Sequence, residues 1–326
     1  MKSWRALTTA WLRERQPGIE FHEIDASVGG TGSDYACCRM ATDVVDHRPD
    51  LVFVEFAVND AQTPALRRHR GYEGVIRSLC RALPKADIIA VHTMGEGFLA
   101  DYDRGALPGS VACHQRICDH YGVPTINVGD ALRRHMARSG KQWSDYFSDG
   151  CHPSDAGHAH YAGTVRDALL TLPAGATRVL PKPLDDRAWR DGRIVTGDLM
   201  AADSQWKRDR RFVWATDMRL LQCSRPGATL TIPFEGSVVG LLCLRHAMSG
   251  SVWWSVDDAP DQRCVIWDEY CPLFERAGYL VLADELPPGA HVLRLRVDGE
   301  PASPVGGTSL DLYGIMTARH LDRVNP

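Results

Sequence analysis

Apolar positions in the first half of the chain change rhythm repeatedly. Trp4, Leu7, Trp11 and Leu12 recur at helical spacing and predict a helix over residues 3–16 that ends at Pro17 and Gly18. Residues 19–26 read as a strand closing on a Gly-rich turn of Gly29, Gly30, Thr31, Gly32 and Ser33. A polar helix over 35–46 leads to residues 51–57, an almost unbroken apolar run that suits a strand buried on both faces of a parallel sheet. Helices are expected over 72–83, 110–120 and 132–136, and strands over 87–92 and 124–128. A last helix carries Ala156, Tyr161, Val165 and Leu169 on one face and runs to about residue 172. Strands alternating with helices predict a three-layer α/β domain around a parallel sheet.

After a Pro- and Gly-containing connector the pattern becomes one of short strands, over 228–232, 237–244, 251–256, 279–282 and 291–297, punctuated by Pro-Gly and Asp turns. This predicts an antiparallel β-sandwich of jelly-roll type. The expected organisation is an α/β domain over 1–175, a linker over 176–188 and a sandwich over 189–326, which suits a chain of 326 residues. Lys207, Arg208, Asp209, Arg210 and Arg211 are expected to form a solvated turn. Six tryptophans fall in this second part: Trp189, Trp206, Trp214, Trp253, Trp254 and Trp267. Trp253 and Trp254 are its candidate saccharide contacts, with core packing or self-association through edge strands as the alternative uses.

Composition removes several classes of function. A net charge of −4 with no basic field gives nucleic acid nothing to bind, and no apolar run is long enough for a membrane span. Ten cysteines without a CxxC pair suit reduced thiols better than a disulfide framework or a zinc site, and favour a cytoplasmic protein. A signal peptide before Met1 is left open. The Gly-rich turn lacks the spacing of a phosphate or dinucleotide loop, so no cofactor is expected.

The chemistry concentrates where strands end. Asp149 and His152 stand on a loop just before the last helix, where the carboxylate can orient one imidazole nitrogen and leave the other for a reacting hydroxyl. Gly30 can offer an unobstructed backbone N–H, and the amide of Asn59 a second donor, to a developing oxyanion. Taken singly, each has a plain alternative: a turn glycine, a capping Asn, an ordinary loop histidine. Asp60 reads as a helix cap.

These blocks resemble those of the SGNH/GDSL hydrolase superfamily, in the bacterial type with a β-rich domain after the hydrolase domain. Asp149-Gly150-Cys151-His152-Pro153 resembles its last block, which would make Asp149 and His152 the catalytic acid and base. Ala57-Val58-Asn59-Asp60 resembles its Gly-x-Asn-Asp block with Ala in place of Gly, which puts the oxyanion Asn on Asn59. The oxyanion Gly falls on Gly30, with Gly29 as the neighbouring alternative. The resemblance covers about residues 1–172 and implies a flavodoxin-like sheet in 2-1-3-4-5 order and hydrolysis of carboxylic esters, including acetylated sugars. The expected partner is a small-molecule or saccharide ester.

The first block of the family, a Gly-x-Ser after its first strand, has no counterpart after Met1, so the resemblance implies a strand and a nucleophilic serine upstream. Ser33, Ser154 and Cys151 are poor substitutes: Ser33 belongs to the oxyanion turn, Ser154 caps the last helix, and Cys151 is expected to point away from His152. The expected site therefore brings Gly30, Asn59, Asp149 and His152 together with no hydroxyl or thiol within reach. Two other readings remain, a catalytically silent carbohydrate-binding or scaffold protein, and metal-dependent hydrolysis through His152, Asp149 and His158.

Overall fold

The computed structural model describes residues 3–173, 175, 179–213, 216–302 and 304–321. The chain divides into two compact units, Met1–Ala36 with Thr42–Ala188, and Cys37–Ala41 with Trp189–Pro326.

Three parallel strands centre the first unit in the order β1 (Leu51–Val54), β2 (Asp87–Val91), β3 (Thr125–Ile126), with Leu51 opposite Asp87 and Ala90 opposite Thr125. The helices are α1 (Trp4–Arg15), α2 (Ser33–Asp43), α3 (Ala65–Ala82), α4 (Leu99–Asp103), α5 (Gly109–Tyr121), α6 (Val128–Ser139) and α7 (Asp155–Leu169). Alternation along β2 sets the layers. Ile89 and Val91 join Trp4 of α1, Leu132 of α6 and Tyr161 and Val165 of α7 in one core. Ile88, Ala90 and the following His92 point the other way, where His92 meets His114 of α5 and His114 stacks on Tyr72 of α3 with ring centroids 3.7 Å apart. The expected three-layer parallel α/β architecture is present.

Several boundaries differ from the sequence pattern. Residues 19–26 form no strand. They run without ladder partners, with Ile19 and Ile24 exposed, and are tethered to α1 by a bidentate Arg5–Asp25 pair and by Arg13 Nη2 donating to the Phe21 carbonyl at 2.7 Å. An apolar alternation becomes a strand only with a neighbour to bond and a face to bury. β1 stops at Val54 because Glu55 turns its carboxylate back to accept the Ala57 N–H at 2.9 Å and the Thr93 hydroxyl at 2.8 Å. α3 starts seven residues before the predicted helix, through its charged first turns. Its Gly71 is a contact residue, since a Cβ there would stand 2.8 Å from the Asp34 backbone. Residues 179–188, expected as part of a linker, are docked on this unit: the Glu73 carboxylate accepts the N–H groups of Leu184 (2.5 Å) and Asp185 (3.0 Å), and Arg70 pairs with Asp185 at 2.9 Å.

The second unit contains two antiparallel sheets. One has the order β10 (Gln262–Val265), β9 (Ser251–Val256), β12 (Ala290–Val297), β7 (Thr229–Glu235). The other runs β11 (Arg276–Ala283), β8 (Val238–Arg245), β13 (Leu310–His320), β6 (Thr216–Cys223), β5 (Lys207–Val213), with β4 (Trp189–Thr196) also pairing with β13. Leu230, Ile232, Val252, Leu293 and Leu295 of the first sheet share a core with Leu221, Leu241, Leu312 and Ile315 of the second, as a sandwich requires. β7 alternates cleanly between buried and exposed positions and carries Pro233 on an edge strand, where a missing N–H costs no ladder bond.

Lys207, Arg208, Asp209, Arg210 and Arg211 are not a turn but most of edge strand β5, paired with β6. Charges that look like a loop in sequence are also what protects an open sheet edge, and Arg210 meets Asp217 across the strand pair at 2.7 Å. Trp254 is a core residue at 7 % exposure, which removes it as a saccharide platform. Trp253 is half-buried with the Arg296 guanidinium 5.4 Å over its ring; Trp214 lies outside the described residues. None of the ten cysteines is joined in a disulfide. Among the described residues no helix is long and apolar enough to cross a membrane.

Candidate active site

The loop between α6 and α7 is closed on itself. Phe147 and Pro153 form an antiparallel bridge, the Ser154 N–H donates to the Tyr146 carbonyl at 2.7 Å, and Ser148 donates from its N–H to the His152 carbonyl at 3.0 Å. Gly157 permits this closure, because a Cβ there would stand 2.3 Å from the Tyr146 carbonyl oxygen. Ser154 caps α7 by accepting the Gly157 N–H. The Trp143 indole N–H, from earlier in the same loop, donates to the Asp149 carbonyl (2.7 Å), and the Glu96 N–H fixes the loop from outside through the Gly150 carbonyl (2.8 Å).

Inside this ring one Asp149 oxygen, Oδ1, accepts the N–H groups of Cys151 and His152, both at 2.8 Å, and the other, Oδ2, lies 2.7 Å from His152 Nδ1. The two backbone donors, then the imidazole, hold the Asp149 carboxyl down at about 2. The His152 side chain is 76 % exposed, and its Nε2 has no hydrogen-bond partner among the described residues. A base needs this arrangement, with one nitrogen held by an acid and the other open to a reacting group.

The expected donors stand at the neighbouring loop. Gly30 has φ +71°, a left-handed conformation that suits glycine, and the turn is tied by Thr31 Oγ1 donating to the Val28 carbonyl at 2.7 Å. Asn59 Nδ2 donates one N–H to the Thr31 carbonyl at 3.0 Å, which orients the amide and leaves its second N–H. Gly95 shows that the loops after β1 and before α7 are neighbours: a Cβ there would stand 3.8 Å from Val58 Cγ1 and 3.9 Å from Cys151 Cβ. Gly30, Asn59, Asp149 and His152 are all exposed.

Two expectations about this site are corrected. Cys151 does not point away from the base; its Sγ lies 3.6 Å from His152 Nδ1, within hydrogen-bonding reach for sulfur, so the site is not free of thiols. The thiol meets the nitrogen already held by Asp149, and burial together with the Asp149 charge pushes it up, away from the thiolate a nucleophile requires. His158 does not join the dyad either, since its Nδ1 accepts the Trp4 N–H at 3.3 Å at the start of α1. Ser33 is fully buried and donates its N–H to Asp60.

Asp60 does cap a helix, but a distant one. Its Oδ1 accepts the Ser33 N–H at the start of α2 at 2.9 Å, and its Oδ2 lies 2.8 Å from His114 Nε2, all in the buried interior. This pair locks the Gly30 turn to the Asn59 loop. Sequence reading missed His114, because its partner Asp60 is 54 residues away along the chain, and it also passed over the half-buried Glu55 and the buried His92.

Residues 1–160 match the family described as GDSL-like Lipase/Acylhydrolase. A crystal structure of a two-domain esterase (CEX) active on acetylated mannans is similar over 97 % of this chain and 85 % of its own, with 18 % identity and a TM-score of 0.79. The same esterase co-crystallised with mannopentaose gives 19 % identity, 98 % and 85 % coverage and a TM-score of 0.77. No curated protein matches the sequence. The match over residues 1–160 and the parallel sheet place the first unit in the SGNH/GDSL hydrolase superfamily, as the domain of a carboxylic ester hydrolase, and a β-rich unit follows it.

Proposed function

We propose that this hydrolase removes acetyl groups from a saccharide ester by Ser-His-Asp chemistry. The observation that carries the reading is His152, held by Asp149 through Nδ1 and open at Nε2, together with an Asn59 amide fixed on the Thr31 carbonyl. The likeness of both units together to an esterase active on acetylated mannans supports the substrate class.

The nucleophile in this reading is a serine hydroxyl from chain preceding Met1. It attacks the acetyl carbonyl, His152 Nε2 accepts its proton, and Asp149 stabilises the imidazolium. The Gly30 N–H and the second N–H of Asn59 hold the tetrahedral oxyanion. His152 then returns the proton to the departing sugar hydroxyl, and water, activated by the same nitrogen, releases acetate from the acyl-enzyme. The open surroundings of the four residues suit a bulky sugar carrying a small acyl group.

The test is Asn59→Ala in a protein extended at its N-terminus to include that serine, assayed on p-nitrophenyl acetate and on acetylated manno-oligosaccharides. The expected kcat is about 100- to 1000-fold below the parent's, the usual cost of one oxyanion donor. An undiminished rate overturns the role of Asn59. Turnover of the chromogenic ester without release of acetate from the saccharide overturns the substrate class.

A further inference from the structure

The catalytic loop holds more ligating chemistry than an ester hydrolase uses. Asp149, Cys151 and His152 present a carboxylate oxygen, a thiol sulfur and an imidazole nitrogen that all lie within 4.8 Å of one another, the single group of this kind among the described residues. We propose that this triplet is a binding site for a thiophilic divalent cation of the zinc class, and that occupancy switches the dyad off.

The geometry fits. A tetrahedral zinc, with bonds of about 2.3 Å to sulfur and about 2.0 Å to imidazole nitrogen, holds those two atoms about 3.5 Å apart. Cys151 Sγ and His152 Nδ1 are 3.6 Å apart. Asp149 Oδ2 sits 2.7 Å from Nδ1, a hydrogen-bond distance, and must withdraw by about 0.7 Å to reach the spacing of two ligands on one zinc. It can do so without losing its anchor, because both backbone N–H groups bind the other oxygen, Oδ1. The Phe147–Pro153 bridge and the Trp143 and Glu96 contacts hold the backbone that carries all three ligands. The side chains are exposed or half-exposed, which leaves a fourth position for water.

Proton bookkeeping links binding to inhibition. The Cys151 thiol gives its proton to solvent on binding, so the cation meets one thiolate and one carboxylate and its charge is balanced. In the dyad Nδ1 carries the proton and Nε2 the lone pair. A cation at Nδ1 binds the lone pair freed there as the ring proton shifts to Nε2, where that proton occupies the position from which a nucleophile would be deprotonated. The inhibition rests on the catalytic role given to His152 above; the binding does not.

The test starts from the Met1–Pro326 protein, reduced and freed of metal. Titration with Zn2+ against a chromophoric chelator is expected to show one zinc per chain, and Co2+ to give a thiolate-to-metal charge-transfer band in the near ultraviolet. Cys151→Ser should abolish the band and weaken zinc binding by more than about 100-fold, beyond what loss of an outer-shell partner costs. Asp149→Asn should weaken it less and keep the band. No zinc retained against the chelator, or binding unchanged in Cys151→Ser, overturns the site. In the extended protein, zinc should suppress ester hydrolysis in the parent and spare Cys151→Ser. Full activity with the site saturated overturns the switch, and a protein inactive without zinc that still binds it counts against the catalytic reading alone.

Discussion

Two Asp–His pairs in the first unit have nearly the same length and opposite circumstances. Asp60 and His114 lie 2.8 Å apart with neither side chain exposed; Asp149 and His152 lie 2.7 Å apart with side chains 53 % and 76 % exposed. In the buried pair, burial pushes the His114 imidazole down against the pull of Asp60, its ring is stacked on Tyr72, and the free Asp60 oxygen is spent on capping α2. In the exposed pair the spare carboxylate valence holds the pair's own loop and the far ring nitrogen is left open. A third pair, Asp257 and His291 in the second unit, is also 2.7 Å long, and its far nitrogen is taken by the Pro287 carbonyl. The hydrogen bond alone therefore carries no functional message. What separates a base from a strut is where the second nitrogen faces: that of His114 is sealed in the interior with no partner, that of His291 is bonded to a carbonyl, and that of His152 opens to solvent.

The contrast can be broken most decisively at His152. His152→Ala in the extended, ester-hydrolysing protein should lower kcat/KM by about 10^4-fold while leaving the urea unfolding midpoint unchanged. A large loss of stability would make His152 the structural member. His114→Ala should do the reverse, costing about 3 kcal/mol in urea unfolding through the buried carboxylate left short of a partner and the void beside Tyr72. Unchanged stability would erase the difference between the pairs.

A smaller effect sharpens the account of the buried side. Burial, aided by the nearby His114, drives His92 down to about 3. The unfolded chain therefore takes up a proton near pH 6.5 that the folded one refuses, so stability is complete above that pH and declines as pH falls towards 3, by about 1.4 kcal/mol per unit. His92→Leu should remove this slope, so that between pH 6.5 and 5 the parent loses about 2 kcal/mol more than the variant. Parallel stability curves would show that His92 takes no part in acid unfolding.

The same contrast explains what could be read from the chain alone. Asp149 and His152 are three residues apart, and a loop that short brings its own acid and base together. Asp60 and His114 are 54 residues apart, and only the packing of α3 and α5 on the face of β2 joins them, so Asp60 looked like a local cap. The alternating α/β pattern was legible because buried strands and amphipathic helices differ in period. Residues 19–26 had a strand's composition but form no strand, and β5 had a turn's composition but pairs with β6. Pairing is a property of two segments, and one segment's residues report it poorly. β13 was missed for a related reason: Gly314 interrupts its apolar run because the Val195 carbonyl of β4 comes within 2.5 Å of where a Cβ would be.

The ring that runs from Tyr146 to Gly157 has a consequence for how such sites change over generations. Asp149, His152 and most of the bonds that orient them are written within one dozen consecutive positions. A recombination event with crossovers outside that ring would move the oriented Asp149–His152 pair intact onto another sheet edge. Insertion of a single residue inside it would part Asp149 from His152 at once, so drift in length should accumulate everywhere around this loop before it is tolerated within.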